Sequence, residues 1–307
     1  MKSATRNADY IDSTLENTEK TQDQVIYLFS HGIADTSKQV YSYMPSAKND
    51  KPYLIQKPFI TFDYPDASTN IFKINRTQTS LAQDNEIECL AQTFYKKVKA
   101  DQKVILVGVS RGASTIINFM AIHQPNNVAA LILESPFDCV DSIIWQLANN
   151  SPFSWVPGIK KNGHGLMSFV FCKYDPNGIR PLDSIALLPK DLPIFIACSL
   201  KDSLVPAWST INLYNALVET NHENTYLLAL PEGKHAKIIK HPIHGITYQN
   251  CVHAFYQKFD LPHVSPFAQL GINILKECQP KVQSFNSFFP NRQIAIKNKN
   301  KNCKKIK

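Results

Sequence analysis

The 307-residue sequence has no run of 18 or more apolar residues, so no membrane-spanning helix is expected. Its first twelve residues, Met1 to Asp12, hold no apolar segment and no small-residue cleavage site, which argues against a standard secretory signal. Cysteines are seven, an odd number, and no two of Cys89, Cys139, Cys172, Cys198, Cys251, Cys278 and Cys303 are close in sequence. They suggest neither a disulfide framework nor a zinc site, and a reducing, cytoplasmic setting is expected. Acidic residues are missing from 281–307, where eight basic residues stand. The other 25 basic residues balance all 25 acidic ones, so the net charge of +8 belongs to this tail. That argues against a nucleic-acid-binding face on the body of the chain. The tail itself reads as a solvated segment, with weak contact to an anionic surface as the alternative. No internal repeat is visible, and no metal or organic cofactor is expected.

What is present is a soluble, core-forming composition: 44% hydrophobic and 19% charged residues. After a polar leader, 1–24, short apolar runs occur at 25–29, 59–62, 103–109, 128–134, 192–200 and 225–230. Each reads as a strand buried on both faces. Helical spacing follows over 79–99, from the third run to about His123, from Pro206 to about Thr220, and up to about Asp260. Alternation of this kind implies a mostly parallel sheet covered by helices, with every strand-to-helix loop on one edge. Residues 25–260 would form this domain and 261–307 a C-terminal extension ending in the basic tail. The rhythm breaks over about 139–191, which reads as a small helical lid. Its Trp145, Phe153, Trp155, Phe169 and Phe171 either pack the lid onto the core or line an acyl pocket.

The third run ends in Gly108-Val-Ser-Arg-Gly112 and passes straight into an apolar helix. A strand–turn–helix this tight needs small residues at Gly108 and Gly112 and projects Ser110 at the sheet edge, beside a helix amino end. A serine hydroxyl is a weak nucleophile without a base. His235, after the last strand in Pro-Glu-Gly-Lys-His, is the candidate base, and Asp202, after the strand before it, the acid that orients it. Asp138 is the rival acid; His241 and His244 are rival bases. Two backbone amides must meet a developing oxyanion. Those of Arg111 and of Ile33, in the loop after the first strand, are the candidates, with Gly32 allowing close approach. His31 reads as a loop-shaping side chain. The Arg111 side chain has two readings: pairing with an acidic neighbour, or contact with an anionic group of a substrate.

His31-Gly32, Phe62-Asp-Tyr64, Gly108-Val-Ser-Arg-Gly112, Glu134-Ser-Pro-Phe137, Lys201-Asp-Ser-Leu-Val-Pro206 and Gly233-Lys-His235 resemble the α/β-hydrolase superfamily. Within it the chain is similar to the group of prolyl-oligopeptidase-like peptidases and α/β-hydrolase-domain lipid hydrolases. The resemblance spans about residues 25–260. It implies an α/β-hydrolase fold, with a mostly parallel sheet of about six to eight strands and a lid, although the usual antiparallel strands before His31-Gly32 are not readable in 1–24. It implies a serine hydrolase acting on a small acyl ester or thioester through an acyl-enzyme on Ser110. The alternatives are a peptidase acting on short peptides and a non-catalytic binding protein of the same fold.

Overall fold

The computed structural model describes residues 25–46, 51–150, 162–279 and 281. The leader 1–24, the lid segment 151–161 with Phe153 and Trp155, and nearly all of the basic tail lie outside the described residues.

Six strands form one sheet: β1 Val25–Ser30, β2 Phe59–Thr61, β3 Lys103–Val109, β4 Val128–Glu134, β5 Ile194–Ser199 and β6 Thr225–Leu230. Their order is β2-β1-β3-β4-β5-β6, and every pairing is parallel. Parallel neighbours need crossovers, and the helices that supply them cover both faces. Hence β3 carries no polar side chain after its exposed first residue, Lys103. Val104 and Leu106 enter the core on one face, while Ile105, Val107 and Val109 enter the core on the other. Helices α1 Asp84–Lys97 and α2 Arg111–His123 belong to the first face, with α6 Ala207–Glu219. Helices α7 His244–Lys258 and α8 Ser265–Glu277 cover the second. The lid contributes α3 Val140–Asn150, α4 Gly163–Val170 and the single turn α5 Pro181–Ser184.

Two departures from the sequence reading have physical causes. Helical spacing was read from residue 79, yet α1 begins at Asp84, and Leu81 and Ala82 stand at φ 56° and 72°. Buried polar bonds hold these residues off the helix. Thr79 Oγ1 donates to Asp66 Oδ2 at 2.6 Å, Ser80 N–H donates to Glu86 Oε1 at 3.0 Å, and Asn118 Nδ2 donates to the Ala82 carbonyl at 2.8 Å. The second is α8, a full helix inside the stretch read only as an extension. Its Gly271 lies so close to α7 that a Cβ there would stand 1.9 Å from the Asn250 carbonyl oxygen.

Candidate active site

Parallel register brings the carboxyl ends of β1, β3, β4, β5 and β6 to one edge, with Ser30 beside Gly108 and Val109 beside Glu134. The turn from β3 to α2 is one residue long. Ser110 occupies it at φ 54°, ψ −120°, a backbone state that costs a non-glycine residue about 1–3 kcal/mol. Its N–H donates to the Glu134 carbonyl at 2.8 Å, and its own carbonyl accepts from Ser114 N–H at 3.1 Å. The flanking glycines are required by space: a Cβ at 108 would lie 2.6 Å from Ala113 Cα, and one at 112 would lie 2.2 Å from the Ser30 carbonyl oxygen.

His235, from the loop after β6, sets Nε2 2.8 Å from Ser110 Oγ and Nδ1 2.7 Å from Asp202 Oδ2. Asp202 is fixed from its other side, because Oδ1 accepts from Leu204 N–H at 2.9 Å and Val205 N–H at 3.0 Å. A carboxylate against Nδ1 keeps the ring proton there and leaves Nε2 free to accept the serine proton. Three residues separated in sequence by as many as 125 positions thus form one chain of hydrogen bonds.

Gly32 brings the loop after β1 against the nucleophile, since a Cβ on it would lie 3.5 Å from Ser110 Cβ. Among the described residues, neither the Ile33 N–H nor the Arg111 N–H donates to a protein group, whereas Gly32 N–H is taken by Gln39 Oε1 at 3.0 Å. The Arg111 amide adjoins Ser110 in sequence, and the Ile33 amide follows the Gly32 that packs against it. The Arg111 side chain points away from them into the protein, with 2% of its surface exposed. Nη1 meets Asp66 Oδ2 at 2.5 Å and Glu86 Oε1 at 3.3 Å, and the guanidinium lies 4.5 Å from the Tyr64 ring centroid. Of its two readings, the acidic pairing is the one the structure holds. Burial alone would push the guanidinium down, but Glu86 and Asp66 raise it; burial likewise pushes Glu86 up against the pull of Arg111.

The rival groups are engaged elsewhere. Asp138 is buried and accepts from Ser142 Oγ, Ser209 Oγ and Cys139 N–H on Oδ1 and from Asn212 Nδ2 on Oδ2. His241 caps α7, its Nδ1 accepting from Ile243 N–H at 3.3 Å and His244 N–H at 3.1 Å. Glu232, His241 and His244 each bring one ligand atom within 4.8 Å of the others, a spacing that suits a cation. However, capping through Nδ1 leaves the neutral His241 proton on Nε2, the nitrogen that faces Glu232 at 3.8 Å. His31 Nδ1 donates to the Gly32 carbonyl at 2.8 Å and Nε2 accepts from Tyr64 N–H at 3.2 Å, so the ring is neutral and shapes the loop. Burial, with Arg111 nearby, holds it down to about 4.

Glu134 was missed as a site residue. It ends β4 wholly buried; Oε1 accepts from Ile238 N–H at 3.1 Å and Oε2 from Tyr43 Oη at 2.9 Å. Burial pushes its carboxyl up to about 7. The available signal was an acid closing an otherwise apolar strand, Val128-Ala-Ala-Leu-Ile-Leu-Glu134.

Above the edge, Leu81, Phe137, Val140, Ile144, Tyr174 and Val205 form a third apolar cluster, and Ile33 packs against it with Met167 and Phe171 of the lid. Phe171 therefore anchors the lid, and Trp145 meets Trp208 of α6 edge-on at 5.9 Å. Phe169 is 83% exposed. Gln83 ties the lid to the start of α1 by exchanging bonds with the Asp175 backbone at 2.8 and 2.9 Å.

No family model matches the chain, and no curated protein matches it. Solved structures do. An esterase of Pyrococcus furiosus is 16% identical over 76% of this chain and 83% of its own, with a TM-score of 0.52. A second crystal form of that esterase gives 14% identity over 76% and 82%, with a TM-score of 0.53. A monoacylglycerol lipase of Paleococcus ferrophilus is 14% identical over 76% of this chain and 94% of its own, with a TM-score of 0.47.

Proposed function

We propose that this chain, whose fold is that of the α/β-hydrolases, is a serine hydrolase that cleaves a carboxylic ester or thioester. The observation that carries the reading is the unbroken chain Ser110–His235–Asp202, at 2.8 and 2.7 Å, with the Ile33 and Arg111 amides left without a protein partner among the described residues. Ser110 Oγ attacks the acyl carbon while His235 Nε2 takes its proton. The Ile33 and Arg111 N–H groups receive the oxyanion, and the amino end of α2 adds its dipole. His235 returns the proton to the leaving alcohol or thiol. A water, deprotonated by the same nitrogen, then clears the acyl group from Ser110. Asp202 holds the ring and stabilises the imidazolium without itself accepting the proton.

An apolar acyl portion is favoured by the partly buried Ile33, Met167 and Phe171, which pack against the cluster of Leu81, Phe137 and Val205 beside the donor loop. Buried apolar contact there would contribute about 25 cal/mol per Å² removed from water. The test is covalent labelling with a fluorophosphonate, alongside nitrophenyl esters from acetate to palmitate and aminoacyl anilides. Labelling and ester cleavage are expected in the native chain and absent in Ser110→Ala, with turnover lower by about 10⁶-fold. Labelling that persists in Ser110→Ala would sink the reading, and anilide cleavage without ester cleavage would replace it with a peptidase.

A further inference from the structure

Resting on that reading, we propose that Glu134 is a positioning residue for His235, gripping the loop that carries the base from beneath and linking it to the nucleophile's strand. The residue after the histidine, Ala236, stands at φ 55°, a left-handed state that a residue with a Cβ adopts only when its surroundings impose it. Two bonds impose it here. Ile238 N–H, three residues past the base, donates to Glu134 Oε1 at 3.1 Å. Tyr43 Oη donates to Glu134 Oε2 at 2.9 Å and lies 3.5 Å from the Ala236 carbonyl oxygen. The backbone of the same glutamate holds the other reactant, because its carbonyl accepts from Ser110 N–H at 2.8 Å. One residue therefore spans both sides of the 2.8 Å Ser110–His235 contact.

The choice of a carboxylate has consequences beyond geometry. Glu134 is 1% exposed, and the titratable groups facing it are Tyr43 from the 3₁₀ turn Ser37–Ser42 and its cap, Tyr248 from α7, and His235 and Asp202 of the site. His235, when protonated, is the one cation among them. An ionised Glu134 favours the imidazolium that forms as Ser110 attacks; a protonated one gives no such help and holds Tyr43 and Ile238 less firmly. Glutamine keeps an acceptor for Ile238 and a polar partner for Tyr43 but never ionises, so it separates charge from shape.

The experiment is the rate of fluorophosphonate labelling across about pH 5–9 for the native chain, Glu134→Gln and Tyr43→Phe, with Ser110→Ala as the blank. Since the probe needs only the nucleophile and its base, no substrate identity is assumed. Glu134→Gln is expected to label about tenfold more slowly above neutrality, because hydrogen bonds to a charged carboxylate become weaker bonds to a neutral amide. Its acid limb should follow one ionisation where the native limb follows two. Tyr43→Phe keeps the ring against Phe29 and removes a bond that lowers the Glu134 carboxyl, so its limb should move to higher pH. A Glu134→Gln protein with the native rate and limb, or with a lower melting temperature as its one change, overturns the proposal. If Glu134→Gln does not fold, a Tyr43→Phe limb at the native position overturns it. A native chain that is not labelled overturns the hydrolase reading, and the proposal with it.

Discussion

Replacing Arg111 with methionine removes a cation and leaves two carboxylates in the dark. Asp66 and Glu86 are 2% and 1% exposed and converge on Nη1 at 2.5 and 3.3 Å. Methionine fills much of the volume, so the loss is electrostatic. Breaking a buried pair by removing one partner costs about 3–5 kcal/mol, because the remaining charge is neither hydrated nor compensated. Two acids are stranded here, although Thr79 Oγ1 still serves Asp66 and the Ser80 N–H and hydroxyl still serve Glu86, which places the loss inside that range. Against a total stability of about 5–15 kcal/mol it is a large share. For a domain of this size it corresponds to a melting temperature lower by roughly 6–20 °C. Urea unfolding and thermal melts measure it directly. The partner variant is Arg111→Met with Asp66→Asn and Glu86→Gln, which leaves no stranded charge. It should recover most of the lost stability and still react with the fluorophosphonate, because the Arg111 amide is unchanged. A single variant that loses less than about 1 kcal/mol would refute the buried-pair argument. A stable triple variant with no reactivity would return the side chain to the substrate.

Glycines at the edge should separate into two classes. Gly112→Ala places a Cβ 2.2 Å from the Ser30 carbonyl oxygen, a backbone atom that cannot yield; a loss of at least about 1–3 kcal/mol in urea melts is expected, together with lost labelling. Gly32→Ala meets nothing nearer than Ser110 Cβ at 3.5 Å, so it should melt within a few degrees of the native chain yet label at least roughly tenfold more slowly, because its methyl stands where an acyl carbon must approach. Acid should unfold the protein through His31 and His253, both held by burial down to about 4. Their neutral forms are favoured in the folded state, so the stability they contribute is complete above the ordinary value near 6.5 and is lost as pH falls from there toward 4, by about 3 kcal/mol each at most. Glu134, pushed up to about 7, works in the opposite sense, its contribution shrinking as pH rises from its ordinary value toward 7. Urea midpoints at a series of pH values should therefore fall on acidification, and less steeply in His253→Gln. A side chain at Gly271 must part α8 from α7, so Gly271→Val should expose the α8 segment to limited proteolysis while β3 stays protected.

The strands were legible because a sheet buried on both faces leaves uninterrupted apolar runs, and all six appear where those runs lie. Ser110, His235 and Asp202 were legible because a parallel sheet converts chain order into position: three loops after three strands must share an edge. The start of α1 was not. Leu81 continues the apolar period of the helix, and bonds from Asp66, Asn118 and the helix's own Glu86, none visible in the apolar pattern, hold residues 79–82 out of it. Likewise the partner of Arg111 was stated only as some acid, because Asp66 and Glu86 lie 45 and 25 residues away and neither sits in a recognisable pattern. Helix α8 escaped because its apolar face is short and its tightest contact is made by the absence of a side chain, at Gly271. Glu134 escaped for a related reason, since the sequence shows an acid at a strand end but not that the strand end is covered by Tyr43 and the loop after His235.

These unread residues share a logic. The residue after the nucleophile sends its side chain to the face of the sheet bearing α1, where Asp66, Glu86 and Tyr64 close around it. The residue that accepts from the nucleophile's amide sends its side chain to the opposite face, toward Tyr43 and Ile238. Ser110, itself at a positive φ, is thus bracketed by two buried polar clusters, one on each side of the sheet. Apolar packing of equal volume would hold the fold as well or better, since a buried ion pair recovers at most about what its desolvation costs. What apolar packing does not supply is direction. Hydrogen bonds to a carboxylate fix the Ile238 amide, the Tyr43 hydroxyl and the Arg111 guanidinium to a few tenths of an ångström, and through them the loops on which a 2.8 Å contact between Ser110 and His235 depends. On this argument, neutralising the Glu134 cluster with the isosteric amide should lower reactivity more than stability, and replacing it with hydrocarbon should lower reactivity further.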